Sequence, residues 1–171
     1  MDPLPSLIVT LQMDDAAQAF FNAQRVRYYP AYANRVAAHL TLFHYLPENQ
    51  SVVRATLAAQ AAMPVFDLEV TGLFNMGKGL AYTLQSNVLA QWHKNLQQSL
   101  APWLIPRDRQ PLWPHVTIQQ RVTTYKATQL QRQLEQDFQP FTVQAMGICG
   151  WHYQQGAWTA AGAWAFGKKQ A

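Results

Sequence analysis

Apolar residues recur along the chain in two kinds of pattern, one typical of strands and one typical of helices. The strand-like segments are residues 4–11, 38–46, 65–74, 80–84, 115–122, 141–151 and 157–166. The helix-like segments run from Asp14 or Asp15 to about Tyr28, from Asn49 or Ser51 to just before Pro64, from Asn87 to Pro102, and over 124–138. Residues 101–114, with four prolines, read as a loop. The pattern therefore predicts a chain of mixed helices and strands.

The order of these elements repeats in the second half of the chain. A strand, a helix and a hairpin cover 38–84, and the same series follows over 115–166. Matching residues lie 75 to 77 positions apart, namely His39 and His115, Phe66 and Phe141, Gly72 and Gly147, and Gly79 and Gly156. This spacing indicates an internal duplication of a strand, helix and hairpin unit. An approximate two-fold axis between the units would bring both His-containing strands together, and a cleft is expected there.

Each of these two strands carries a His followed two positions later by a Thr. The segments are His39-Leu40-Thr41-Leu42 and His115-Val116-Thr117-Ile118. Alternate residues of a strand share a face and lie about 6.6–6.8 Å apart, so each His points the same way as its Thr. With five His and 11 Thr in 171 residues, about 0.3 such triplets are expected by accident. Two triplets at corresponding places therefore indicate a site with two imidazoles and two hydroxyls.

Two imidazoles on opposite sides of a phosphodiester suit in-line displacement without a metal. Imidazole titrates near neutral pH, so one His can take a proton from the attacking oxygen while the other gives one to the leaving oxygen. The hydroxyls of Thr41 and Thr117 can donate hydrogen bonds to the non-bridging phosphate oxygens. The residues alone do not tell which His is the acid. Zinc ligation by His39 and His115, or a purely structural role for both triplets, remains an alternative.

Composition and charge add modest constraints. With 49% hydrophobic and 13% charged residues, residues 1–171 are expected to form one domain, or two closely packed lobes. A net charge of +4 mildly favours anionic ligands, although the basic residues are dispersed. No apolar run reaches the roughly 18 residues of a membrane span, and the start lacks the features of a secretory signal. The lone Cys149 fits a reducing compartment, so a cytoplasmic location is expected.

The two His-x-Thr strands and the duplicated unit around them resemble the 2H phosphoesterase superfamily, and within it the bacterial 2′-5′ RNA ligase-like or cyclic phosphodiesterase group. The resemblance implies an α+β fold of two lobes related by a pseudo-two-fold axis, with antiparallel sheets lining a central groove and helices outside. It also implies metal-independent hydrolysis of 2′,3′-cyclic phosphates, or the formation of 2′-5′ linkages, in nucleotides or RNA ends. His39 and His115 become the acid and base, and Thr41 and Thr117 the phosphate-oxygen donors. No cofactor is implied, and a monomer is expected.

Some residues outside the triplets are weaker candidates. Some relatives place an Arg five residues after the second motif His, where this chain has Gln120, and strand alternation would put the neighbouring Arg121 on the face of His115 as a substitute anion clamp. His44, His93 and His152 follow no pattern and are interpreted as surface or core residues. Aromatic residues that could stack a base are Phe43, Tyr45, Trp113 and Trp151.

Two other functional classes stay open at this level. An RNA-end binding module that retains the site but turns over little would bind phosphate without needing either imidazole for hydrolysis. An interaction protein whose triplets are structural would show no effect of either imidazole on ligand binding.

Overall fold

The computed structural model describes residues 6–167, which form seven strands and four α-helices. The strands are β1 Leu7–Met13, β2 Leu40–Leu46, β3 Phe66–Asn75, β4 Leu80–Gln85, β5 His115–Gln119, β6 Phe141–Gln154 and β7 Ala157–Ala165. The helices are α1 Asp15–Tyr28, α2 Ser51–Gln60, α3 Asn87–Leu100 and α4 Thr124–Glu135. Within the described residues, no helix has both the length and the apolar character to cross a membrane.

Every predicted helix and strand is present, and the differences lie at their ends. The second motif strand, β5, ends at Gln119 rather than Val122, and β6 continues to Gln154. The segment 101–114 contains two short 3₁₀-helices, Ala101–Trp103 and Pro106–Arg109, where the prolines had predicted only a loop. Residues 4 and 5 of the predicted first strand lie outside the described residues. Three of the four helix starts show the expected capping chemistry, since Asp14, Ser86 and Thr123 each accept a backbone N–H of the first turn. The residue before α2 is Gln50, whose side chain makes no such hydrogen bond.

The strands form one antiparallel sheet with the order β2-β1-β6-β3-β4-β5, and β7 pairs with the second part of β6. The sheet is symmetric about the pair of β3 and β6. There Leu68 pairs with Val143, its counterpart 75 positions later, while Phe66 and Val70 pair with Ala145 and Phe141. Exchanging the two halves of the chain therefore reproduces the same strand order. The fold confirms the duplicated α+β architecture with a pseudo-two-fold axis.

The repeating unit is framed differently from the one that the sequence indicates. The element order shows that β1, α1, β2, α2 and β3 correspond to β4, α3, β5, α4 and β6, and that β7 is an addition to the second unit. The hairpin of β3 and β4 therefore joins the two units instead of ending the first. Sequence patterns detect hairpins because their turns are local, whereas the pairing of β1 with β6 joins distant segments and has no local signal.

Each unit covers the motif strand of the other unit with its first helix. Arg25 on α1 donates from Nη1 to the backbone oxygen of Thr117 on β5 at 3.1 Å. His93 on α3 donates from Nε2 to the backbone oxygen of Leu42 on β2 at 2.9 Å, and its ring stacks on Phe43. His93 is therefore a core residue, as predicted. The helices pack against the core-facing side of both motif strands, and the opposite face of each strand lines the groove.

The two motif strands lie at opposite ends of the strand order, yet they approach each other. Residues of β2 and β5 come within 8 Å of one another between Cα atoms. The sheet must therefore curl until its edges come close, as the right-handed twist of a sheet of this size allows. The curling brings the two His-x-Thr triplets to one groove.

The position of β5 depends on a close approach at Gly79, where β4 begins. A Cβ atom there would lie 2.1 Å from the backbone oxygen of Gln119 and 2.9 Å from the Cα of Gln120. Gly79→Ala is therefore expected to displace the end of β5 and to lower the free energy of unfolding by about 1–3 kcal/mol in urea unfolding. Gly72→Ala is the control, because its Cβ would only contact Thr83 at 3.8 Å. Equal stability of the two variants would contradict this packing.

Candidate active site

His39 and His115 have the same local geometry in the two halves of the molecule. Nδ1 of His39 lies 2.8 Å from the backbone oxygen of Ala37, and Nδ1 of His115 lies 2.8 Å from that of Trp113. A carbonyl oxygen only accepts hydrogen bonds, so Nδ1 must carry the hydrogen in both rings. The remaining nitrogen, Nε2, is then the atom of each ring that can take or give a proton.

A tryptophan packs against each of these rings. The ring centres of His39 and Trp158 are 4.5 Å apart, and those of His115 and Trp113 are 4.0 Å apart with nearly parallel planes. Trp113 also meets Phe74 edge to face. The indoles restrict the rotation of the imidazoles and shield one face of each from water. Both histidines are accordingly half-buried.

Burial and nearby cationic groups lower the pKa of both rings. The pKa of His39 is lowered to about 4, mainly by burial; the hydrogen bond to Ala37 opposes this, and the nearby charges of Arg25, His115 and His44 add to it. Burial also lowers the pKa of His115, and His44 and Arg107 act in the same direction. Each imidazole thus lies within the electrostatic reach of several cationic groups. An anion bound between them would relieve this repulsion.

The threonines of the triplets stand beside the histidines. Thr41 lines one cavity together with His115, which brings a residue of the first motif next to the second. In β5, His115 and Thr117 are half-buried while Val116 and Ile118 are buried, so the first two share the groove face. Among the described residues, neither threonine hydroxyl takes part in a hydrogen bond. Both hydroxyls therefore remain available to donate to a ligand.

Two cavities flank the histidines. One, of about 270 Å³, lies beside His39, and its polar and aromatic lining comes from Thr10, Gln12, Gln18, Arg35, Trp151 and Trp158. The other, of about 190 Å³, lies beside His115 and is lined by residues that include Thr41, His44, Arg107, Asp108 and Trp113. Of the aromatic residues considered for base stacking, Trp113 and Trp151 border these cavities, whereas Phe43 is fully buried. The groove thus offers space on both sides of the imidazole pair.

Arg121 lies away from this arrangement. Because β5 ends at Gln119 and Arg121 has a φ of 60°, the strand alternation that would place it on the face of His115 does not extend to it. Arg121 instead lines a separate open cavity with Lys78 and Lys126. The basic residues nearer to the histidines are Arg25, which is buried behind β5, Arg35 in the cavity beside His39, and Arg107. None of them belongs to a motif, so sequence reasoning did not find them.

His44 also belongs to the groove, which corrects its interpretation as an unpatterned surface or core residue. Thr10 of β1 pairs with Thr41, but the preceding Val9 pairs with Phe43, so β2 carries one extra residue at this point. Such a bulge exchanges the faces of the residues that follow it. Phe43 consequently enters the core, and His44 lines the cavity beside His115.

His152 belongs to a different group of side chains. The Nε2 atom of His152 lies 2.7 Å from Glu48, which also binds Arg54, so this His belongs to a peripheral ion cluster. Zinc sites in proteins use at least three side-chain ligands. Across residues 6–167, no three His, Cys, Asp or Glu side chains are grouped so that they could hold a metal ion.

The lowered pKa of His39 predicts a loss of stability in mild acid. In the unfolded chain the pKa of this ring is 6.5, whereas in the folded chain it is about 4. Between these values the unfolded state binds more protons, so the free energy of unfolding falls as the pH falls. The His39→Gln variant has no titrating ring at this position. Between pH 7 and pH 4.5 its free energy of unfolding, measured in urea, is expected to fall by about 2 kcal/mol less than that of the wild type. Equal losses in the two proteins would contradict a buried neutral imidazole.

Solved structures with a similar fold come from proteins of low sequence identity. TT0787 of Thermus thermophilus shares 16% identity with a TM-score of 0.68, and the alignment covers 94% of this chain and 97% of that one. LigT of E. coli, in its complex with 3′-AMP, shares 18% identity with a TM-score of 0.59 and coverage of 96% and 99%. A structure described as a phosphoesterase matches with 18% identity, a TM-score of 0.58 and the same coverage. These similarities support the fold.

None of the curated proteins matches the chain. The family model of the 2′-5′ RNA ligase superfamily, however, matches residues 13–157, a range that includes both His-x-Thr triplets. The match extends over well more than half of the chain and confirms the resemblance that the motifs indicate. The chain therefore belongs to the 2′-5′ RNA ligase superfamily.

Proposed function

We propose that this protein is a metal-independent phosphoesterase that hydrolyses 2′,3′-cyclic phosphates, or forms and breaks 2′-5′ phosphodiester bonds, at nucleotides or RNA ends. The observation that carries the proposal is the matched pair of imidazoles. His39 and His115 have Nδ1 tied to a backbone oxygen and lie within electrostatic reach of each other in one groove. This is the arrangement that acid and base catalysis at one phosphorus atom requires.

In the hydrolytic direction, water attacks the phosphorus of the cyclic diester. Nε2 of one imidazole takes a proton from the water, the bond from phosphorus to a ribose oxygen breaks, and Nε2 of the other imidazole gives that oxygen a proton. We assign the base to His39, because its strongly lowered pKa keeps it neutral at physiological pH. His115 is then the acid, and the negative charge of the bound phosphate favours its protonated form. A 2′-5′ linkage forms by the same steps when the 5′-hydroxyl of a second nucleotide attacks in place of water, and it breaks by the reverse of those steps.

The threonines complete this scheme. Their hydroxyls lie on the groove face beside the two imidazoles and make no hydrogen bond within the described residues, so they can hold the non-bridging oxygens as negative charge develops there. Thr41 and Thr117 would each contact one such oxygen. The pseudo-two-fold axis supports this symmetric assignment, since it relates one triplet to the other across the groove.

The structural relatives support a nucleotide or RNA end as the substrate class. LigT has been crystallised with 3′-AMP, with ATP, with NADP⁺ and with phosphate. In the present chain, the cavity beside His39 is bordered by two indoles and by the amide side chains of Gln12 and Gln18. Indole faces can stack a base and amides can hydrogen-bond its edge.

The proposal is tested by assaying the purified protein on nucleoside 2′,3′-cyclic phosphates in excess EDTA. We expect hydrolysis with a bell-shaped dependence of kcat/KM on pH, since one imidazole must be neutral and the other protonated. Activity that disappears with EDTA and returns with zinc would contradict the proposal. Tight binding of the nucleotide without turnover would instead favour an RNA-end binding module.

A further inference from the structure

The cavity beside His115 contains groups for which the two-imidazole mechanism has no use. His44, Arg107 and Asp108 line it together with Thr41 and His115. The three groups are an imidazole, a guanidinium and a carboxylate, and all of them come from outside the His-x-Thr triplets. Their arrangement indicates which further chemical group of the substrate could bind in this cavity.

Asp108 fixes the orientation of His44. Its side chain is 1% exposed, and its Oδ1 lies 2.9 Å from Nδ1 of His44. The carboxylate also accepts the backbone N–H groups of His44 at 2.9 Å and Tyr45 at 3.0 Å. Nδ1 therefore carries a hydrogen, and the ring can meet a ligand only through Nε2. Both carboxylate oxygens accept hydrogen bonds from these donors, which partly offset its negative charge.

Arg107 adds a positive charge to the same cavity. It lies one residue before Asp108 in the short helix Pro106–Arg109, and its side chain is exposed. Within residues 6–167 it forms neither a salt bridge nor a side-chain hydrogen bond. Its charge reaches His115, whose pKa it lowers together with burial. A guanidinium and an oriented imidazole in one cavity form a suitable site for a phosphate group.

We propose that Arg107 and Nε2 of His44 bind a second phosphate of the substrate, on the 5′ side of the nucleoside whose 2′ or 3′ oxygen carries the reacting phosphate. The inference rests on the proposed function and narrows its substrate class. An RNA end, or a nucleotide with a 5′-phosphate, supplies this group, whereas a nucleoside with only the reacting phosphate does not.

The test compares the binding of adenosine 3′-monophosphate and adenosine 3′,5′-bisphosphate by isothermal titration calorimetry. The wild type is expected to bind the bisphosphate at least about tenfold more tightly, the effect of one charge-assisted contact. His44→Asn keeps a donor toward Asp108 but lacks Nε2, and Arg107→Gln removes the guanidinium. Each is expected to reduce the preference to about threefold or less. The preference is the ratio of two affinities of the same protein. A change in the fraction of folded molecules affects both affinities equally and therefore does not change this ratio.

Arg109→Gln is the matched control, because Arg109 lies on the same short helix but lines a different cavity. It removes the same charge from the protein and is expected to retain the preference. Equal binding of both nucleotides by the wild type, or an unchanged preference in both His44→Asn and Arg107→Gln, would overturn the inference. Binding is measured without turnover, so this result is independent of the hydrolysis assay. If the protein hydrolyses the cyclic nucleotide but does not prefer the bisphosphate, only this inference is rejected. If it prefers the bisphosphate but does not hydrolyse the cyclic nucleotide, only the proposed reaction is rejected.

Discussion

Replacing His39 or His115 with alanine is expected to lower kcat/KM for a 2′,3′-cyclic nucleotide by about 10²–10⁴-fold, the range that positioned acid or base groups contribute. Each substitution removes the one Nε2 atom that its half of the groove presents to the phosphate. Because the two imidazoles act in one step, the double variant should be only slightly less active than either single variant. The measurement is steady-state kinetics at several pH values, with circular dichroism to verify folding.

The control for these variants is His152→Gln, which removes an imidazole from the peripheral ion cluster with Glu48 and Arg54. Its activity should stay within about twofold of the wild type, because it changes no group in the groove. The pH profile carries further information. Loss of the base should remove the acidic limb of the profile, and loss of the acid the alkaline limb. Variants of His39 and His115 that retain full activity would contradict the mechanism.

Replacing Asp108 with alanine is expected to lower the free energy of unfolding by about 3 kcal/mol. The substitution leaves two backbone N–H groups of β2 and the Nδ1–H of His44 without their acceptor. Although burial by itself would raise the pKa of Asp108, hydrogen bonds from His44 and from the backbone of His44 and Tyr45 lower it overall. The carboxylate therefore stabilises the folded state above its ordinary pKa of 3.8, and this contribution is lost as the pH falls.

Asp108→Asn separates geometry from charge. An amide can accept on one side only, and its NH₂ group would face a donor, so this variant should also be destabilised, by about 1–3 kcal/mol. Asp67→Asn is the control, because Asp67 is exposed on β3, and we expect it to change stability by less than about 0.5 kcal/mol. The measurement is urea unfolding at pH 7. Stability of Asp108→Ala equal to that of Asp67→Asn would show that the carboxylate does not hold β2 in place.

The sequence predicted the parts of the site that depend on local regularity. His115 and Thr117 lie two positions apart on β5, and His39 lies directly before β2, two positions before Thr41; strand alternation is enough to place each pair on one face. The near-constant spacing of the two triplets indicated the two-fold relation, which the pairing of Leu68 with Val143 confirms.

The parts of the site that sequence reasoning missed depend on irregular backbone or on contacts between distant segments. A bulge in β2 turns His44 toward the groove, and nothing in a run of apolar residues marks where an extra residue enters a strand. Asp108 lies in a proline-rich segment 64 positions after His44, so only the folded chain reveals their contact. Arg121 illustrates the opposite error, because strand alternation was extended past Gln119, where β5 ends.

If His39 and His115 meet at one phosphate group, both rings should respond to the same bound phosphate, and an NMR titration of their ring nitrogens with and without inorganic phosphate measures this response. Without phosphate, the pKa of both imidazoles should lie below the ordinary value for His, and that of His39 should be about 4. Bound phosphate should raise the pKa of both rings, with the same phosphate concentration dependence at each. A rise at one ring only, or different concentration dependences at the two rings, would show that they do not share a ligand.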